Sequence, residues 1–179
     1  MDPDLTNTLC TGCGLCCDGS LFADVELTGS REAAGLEVMG LEIEEAAAGG
    51  ELLLQPCRAL QGKRCSIYAH RPECCRTFEC RLLQDVPCGR VDTTQAQARI
   101  AEVSKQIARV RELSAELGQS NGRLPLKELC MEALTSDAQA ISAWNRKRAR
   151  LECLIASVEE SIQQRFLGDP SLESRGTAD

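Results

Sequence analysis

The sequence predicts an α+β protein that is mainly α: a small, irregular, cysteine-rich domain with short strands, followed by an antiparallel helical hairpin. Two asymmetries and one periodicity predict it. Ten of the twelve cysteines fall in residues 1–90, and only Cys130 and Cys153 come later. Charge is divided as unevenly. Residues 1–90 carry 8 basic and 14 acidic groups, whereas residues 91–179 carry 12 and 13. Beyond residue 90, apolar residues recur in steps of three and four, the spacing of helices with one buried stripe. The expected division is 1–90 for the cysteine-rich domain, 91–170 for the hairpin and 171–179 for a frayed tail.

The elements follow in order. In SLFADVELT, residues 20–28, Leu21, Ala23, Val25 and Leu27 share one face, with Asp24, Glu26 and Thr28 on the other. That period of two marks a short, half-buried strand. SREAAGLEVMGL forms a short helix with Ser30 as N-cap and Gly40 near its end. AAAGGELLLQPC supplies a Gly-Gly turn and an apolar run for a second strand, with Pro56 before Cys57. VDTTQAQARI offers Thr94 as N-cap with Gln97 three residues on, a capping-box pattern. Ile100, Val103, Ile107, Val110, Leu113 and Leu117 then line one stripe. Gly118 ends that helix, and QSNGRLP is a turn. Helix resumes near Pro125 with Leu126, Leu129, Ala133 and Leu134, and a break is expected at Thr135-Ser136-Asp137. Ile141, Trp144, Leu151, Leu154, Ile155, Val158, Ile162 and Phe166 carry the stripe on to a stop at Gly168-Asp169-Pro170. Such a hairpin could pack on itself, on the cysteine-rich domain, or on a second copy or another protein. The basic cluster Arg146, Lys147, Arg148 and Arg150 reads as a solvated helix face.

Composition narrows the function. With 43% hydrophobic residues among 179, the chain can bury a core, but only 3% are aromatic. A net charge of −7 argues against a general nucleic-acid binder, which needs basic surface to meet phosphates. No run approaches the ~20 apolar residues that cross a membrane. The N-terminus MDPDLTNTLC has neither a basic nor an apolar leader region. The protein is therefore expected in the cytoplasm, where thiols stay reduced and clustered cysteines favour metal over disulfides.

The densest cluster is CTGCGLCC, residues 10–17. Cys10/Cys13 and Cys13/Cys16 have the C-x2-C spacing with which a tight turn grips one ion. Cys16 and Cys17 are adjacent, and neighbours in extended chain point to opposite sides. The stretch is therefore built to face two centres, or two metals of one cluster. Two tetrahedral sites need about eight ligands. QPCRALQGKRCSIYAHRPECCRTFEC supplies the remainder: Cys57 and Cys65 flanking a Gly-containing turn, then Cys75 and Cys80.

These motifs, CTGCGLCC, QPC, KRCSIY and RPECCRTFEC, resemble the CxxCxxCC family of YkgJ-type cysteine-cluster proteins, which are zinc- or iron-chelating domains. The resemblance covers roughly residues 10–81. It implies the metal ligands Cys10, Cys13, Cys16, Cys17, Cys57, Cys65, Cys75 and Cys80. Cys74 falls at a variable position of the Arg-Pro-x2-Cys-Arg motif and Cys88 lies beyond it; both could substitute. Cys130 and Cys153 read as small buried residues. Four thiolates on a divalent ion leave a net −2, so Arg71, Arg76 and Arg81 are candidate partners of the ligands, with surface ion pairing as the plainer role for Arg81. Pro72 would set the turn before Cys75, and Tyr68 and Phe78 would cover the site. His70, the only histidine, sits at a variable position.

The metal is open between zinc and iron. Closed four-thiolate zinc sites are structural. Cys10, Cys13 and Cys16 also repeat the run that holds three corners of a [4Fe–4S] cluster, with a remote fourth cysteine. That would make an iron–sulfur redox or electron-transfer protein. A thiol-based metal carrier or redox switch is a further reading. No catalytic motif stands out, and an enzyme is not expected.

Overall fold

The computed structural model describes residues 3–135 and 142–168. It is mainly helical with a few short strands. Of the sequence expectations, Ser136, Asp137, Ile141, the Asp169-Pro170 stop and the tail lie outside the described residues.

Helix α1 (Pro3–Cys13) occupies a stretch in which the sequence gives little sign of regular structure. Leu5 and Leu9, one turn apart, face the main core, and Leu9 is 2% exposed. Strand β1 (Asp24–Glu26) turns Val25 inward and leaves Asp24 and Glu26 in solvent, as the alternation predicts. Helix α2 (Ser30–Val38) starts one residue differently from expectation. Gly29 is its N-cap and no side chain caps it, so Ser30 is already helical. Its end is a Schellman turn: Gly40, at φ +83, donates to Glu37 O, and Leu41 N donates back to Leu36 O.

Strands β2 (Ile43–Glu45) and β3 (Glu51–Leu54) form a hairpin across the Gly-Gly turn, and β1 adds to the other edge of β3, all antiparallel. The register sets Leu53 opposite both Val25 and Ile43. Leu53 thus joins Leu36, Leu41 and Ala59 in a small core of four buried side chains. A second hairpin, β4 (Leu60–Gln61) and β5 (Arg64–Cys65), turns at Gly62 between the two cysteines Cys57 and Cys65. Two short helices follow, α3 (Glu73–Thr77) and α4 (Arg81–Asp85).

The long helix α5 (Thr93–Glu116) begins at a capping box, two residues before the one expected at Thr94 and Gln97. Asp92 is the cap: its Oδ1 accepts from Gln95 N at 2.7 Å, and Gln95 Oε1 accepts from Asp92 N at 3.0 Å. The carboxylate outcompetes the threonines because it also meets the positive helix start. All six expected stripe residues, Ile100 to Leu117, are 7% exposed or less. Helices α6 (Leu126–Thr135) and α7 (Ser142–Ile162), the latter continued by a π-helical turn at Gln163–Leu167, form the return arm of the hairpin. Leu151, Val158, Ile162 and Phe166 are buried there, while Trp144, Leu154 and Ile155 are half-buried. Lys147 pairs with Glu116 and Arg148 with Glu152, as a solvated face would.

The helical core does not stop at residue 90. Leu9, Leu15, Leu82 and Leu83 belong to the same buried cluster as the stripes of α5 and α7. Two further ties hold the cysteine loop against the helices. Arg111 donates to Asp18 O at 3.0 Å, and Leu126 N donates to Gly19 O at 2.8 Å. Gly19 has no substitute here: a Cβ would stand 2.9 Å from the Pro125 backbone, and its φ is +76.

Candidate metal centre

A cavity of ≈ 670 Å³ opens between α1, the two hairpins and the α3–α4 segment, and nine cysteines line it. They are the eight expected from the sequence, Cys10, Cys13, Cys16, Cys17, Cys57, Cys65, Cys75 and Cys80, together with Cys74. All nine are half-buried and none is in a disulfide. Cys88 and Cys153 face solvent, and Cys130 is buried in α6 away from the cavity. The expectation that Cys153 is buried is therefore corrected: its place on α7 falls outside the apolar stripe.

Local backbone explains how these thiols meet. Cys10 and Cys13 lie three apart on α1, hence on one face, so a helix performs the gathering that the C-x2-C spacing suggests a tight turn would do. At Gly14, φ +77, the chain leaves the helix, and the N–H groups of Cys17 and Asp18 both return to Gly14 O. Cys16 and Cys17 thus sit on a turn, not on the extended backbone that the sequence reasoning assumed. They part company only in part. The charges that bear on Cys16 are those of Cys13, then Cys17, then Cys80 and Cys10. Those that bear on Cys17 come foremost from Cys57 and Cys65. The backbone itself joins this second set, since Cys57 N donates to Cys17 O at 2.8 Å. Cys75 feels Cys17 and Cys57 in turn. The thiols form two neighbourhoods that touch at Cys16 and Cys17: Cys10, Cys13, Cys16 and Cys80 on one side, Cys17, Cys57, Cys65 and Cys75 on the other.

Burial dominates their acidity. It pushes Cys10 up to about 11 and Cys13 and Cys17 up to about 12, with neighbouring thiols adding to the rise. Cys16 and Cys57 are raised for the same reason. Cys80, at the start of α4, is raised by burial while the N–H groups of Leu83 and Leu82 oppose the shift. Cys74 and Cys75 share a sulfur hydrogen bond at 4.0 Å, which lowers Cys74 and raises Cys75. Uncharged thiols of this kind bind a metal ion by releasing their protons.

The motif cations divide. Arg71 lines the cavity, and its charge lowers both Cys10 and Cys17, one from each neighbourhood. It is fixed by stacking 3.7 Å from the Tyr68 ring centre and by donating to Tyr68 O and Cys75 O. Arg76 also reaches the cavity wall, near Glu32. Arg81 does not line it and lies 3.7 Å from the buried Asp85, the plainer ion-pairing role. His70 is exposed and off the wall.

Two further residues stand on the wall. Phe22 meets Phe78 edge-on, with ring centres 5.1 Å apart, and lines the cavity along with Tyr68 and Phe78, the two rings expected there. Gln55 is 6% exposed, and its Oε1 has no partner among the described residues. Phe22 could have been found as the outward member of the alternation around Val25. Gln55 opens the QPC motif, but the motif was read for its cysteine alone.

The donor set suits a soft or borderline cation, since thiolates favour zinc, copper(I) and iron–sulfur centres. Among the described residues, no three of the His, Cys, Asp or Glu side chains are yet gathered closely enough to hold an ion as they stand. Holding one requires sulfurs that already share a neighbourhood to turn inward. Such thiols, reduced and half-buried on one wall, fit that demand. Also among the described residues, no helix is long and apolar enough to cross a membrane.

No curated protein and no solved structure matches the chain. One family model does match, over residues 9–111, more than half the chain and well past the 10–81 stretch that carries the sequence motifs. It runs from the start of the cysteine run to Arg111, the residue of α5 that holds the Asp18 carbonyl. The chain belongs to the CxxCxxCC family, described as "Putative zinc- or iron-chelating domain".

Proposed function

We propose that the protein holds zinc or iron at two centres in this cavity. Cys10, Cys13, Cys16 and Cys80 serve one centre; Cys17, Cys57, Cys65 and Cys75 serve the other. The observation that carries this reading is the lining of one cavity by nine half-buried cysteines, with Cys17 tied to Cys57 by a backbone hydrogen bond and Cys10 and Cys13 on one face of α1. Four-thiolate metal centres contribute folding free energy, on the order of 10 kcal/mol each in small domains. The chain's own groups support such centres. Arg71 offsets anionic sulfur on both sides, and the Phe22–Phe78 pair keeps water from part of the wall.

One observation favours iron at the first centre. Cys80 stands beside Cys10, Cys13 and Cys16 as the remote fourth thiol that a [4Fe–4S] cluster on a C-x2-C-x2-C run requires. In that case the protein is a redox or electron-transfer module. We place it in the cytoplasm, where the thiols stay reduced. The unit that holds metal is residues 1–90, and residues 91–170 act as a packing scaffold, open to a second copy or a protein partner.

Anaerobic purification followed by elemental analysis tests the proposal. About two zincs per chain in a colourless sample, as eight thiolates allow, support two zinc centres. A brown sample with iron and acid-labile sulfide supports the cluster. A freshly reduced protein that takes up neither metal overturns both.

A further inference from the structure

Eight thiols complete the two proposed centres, yet a ninth lines the same cavity. Cys74 Sγ lies 4.0 Å from Cys75 Sγ, and both are half-buried on the five-residue helix α3. The two neighbours keep different company. Cys75 lies within reach of the charges of Cys17 and Cys57 as well as of Cys74. Cys74 faces Cys75 and, outward, Glu32. The helix is pinned at that outer side. Glu32 Oε1 accepts from Glu73 N at 2.8 Å, Glu32 Oε2 accepts from Thr28 N at 3.0 Å, and Thr28 Oγ1 donates to Glu73 Oε2 at 3.1 Å. From solvent inward the donors therefore run Glu32, Cys74, Cys75, then Cys17 and Cys57. Oxygen donors lead to an outer sulfur, and that sulfur touches a ligand.

We propose that Cys74 is the exchange thiol of the second centre, the sulfur through which a thiophilic divalent cation such as Zn²⁺ enters and leaves. The inference rests on the two-centre reading above. An incoming Cys74 sulfur bonds to the ion as the Cys75 sulfur lets go. Cys74 gives up its proton on binding and Cys75 takes one on leaving, so the swap releases no net proton and leaves the ion with four thiolates. No oxidant or reductant takes part. Both sulfurs are on one short, pinned helix, so side-chain rotation suffices. The first centre has no such spare thiol on its wall, and exchange there is slower.

The test uses the full chain loaded with Zn²⁺ alone, challenged anaerobically with a chromophoric chelator. The wild type is expected to release zinc in a fast and a slow phase of one equivalent each, from its two four-thiolate centres. C74S should still bind both equivalents while its fast phase slows by about an order of magnitude. C75S should keep both equivalents through Cys74, and the double variant C74S/C75S should lose one. C88S, altered at an exposed cysteine off the wall, should match the wild type. If C74S loses an equivalent, Cys74 is a fixed ligand and the inference fails. If C74S binds both and releases them at the wild-type rate, the inference fails while the two-centre reading stands. A wild-type chain that takes up no zinc overturns both together.

Discussion

The cysteine-lined part and the helical part of this chain are held by different means. The stripes of α5 and α7 bury about a dozen large apolar side chains against each other, with Val103, Val110 and Leu151 at 0% exposure. The sheet beside the cavity buries four, Leu36, Leu41, Leu53 and Ala59. At about 25 cal/mol per Å² of apolar surface, four modest side chains offset little of the conformational entropy of the loops and turns around them. What that region has instead is sulfur. The contrast teaches that the same chain uses the hydrophobic effect where its sequence is periodic, and is built to use ligation where it is not.

The comparison can be broken most sharply at Cys13. Cys13→Ser should lose one metal equivalent and unfold much of residues 1–90, because a centre worth on the order of 10 kcal/mol is removed. Cys153→Ser, at an exposed position of α7, should change neither metal content nor the hydrogen-exchange protection of those residues. If elemental analysis cannot tell the two variants apart, the ligand assignment is wrong. On the helical side, Leu151→Ala should cost about 2–5 kcal/mol in urea unfolding, the usual range for a buried leucine, with metal per folded chain unchanged. A matching loss of metal would mean that the two parts are not held separately. The smallest effect concerns the start of α5. Asp92→Ala should cost about 1 kcal/mol, whereas Thr94→Ala should cost well under that, since Asp92 and not Thr94 accepts the Gln95 N–H.

That last pair also shows how far the sequence could be read. The stripe from Ile100 to Leu117 was legible because six apolar residues at helical spacing leave one solution. The cap was not, because Asp92, Thr93 and Thr94 are all acceptable N-cap residues, and the carboxylate's charge together with the reach of Gln95 chooses among them. Helix α1 was hidden for another reason. Leu5 and Leu9 are its main apolar anchors, and Thr6, Asn7 and Thr8 between them and Gly12 after them are weak helix formers. Its cysteines read as ligands on a turn, although Cys10 and Cys13 also pack against the core from the same helix face. Strands of two or three residues such as β2, β4 and β5 take their register from partners and not from a period. At the site, all eight cysteines expected from the motifs stand on one wall, because motif order records which thiols the fold brings together. Their proposed allotment into two sets was only partly legible. Adjacency of Cys16 and Cys17 implied two directions, but which distant thiol waits in each direction depends on Gly14, on the Cys17–Cys57 backbone link and on α4.

Ile100 and Phe166 belong at once to the helical interior and to the cavity's lining. They make the two halves mechanically continuous: trimming either side chain enlarges the chamber in which the sulfurs lie. The shape of the chamber is thereby set by residues that no ligand-spacing rule would single out, and its lining is apolar side chain as well as thiol.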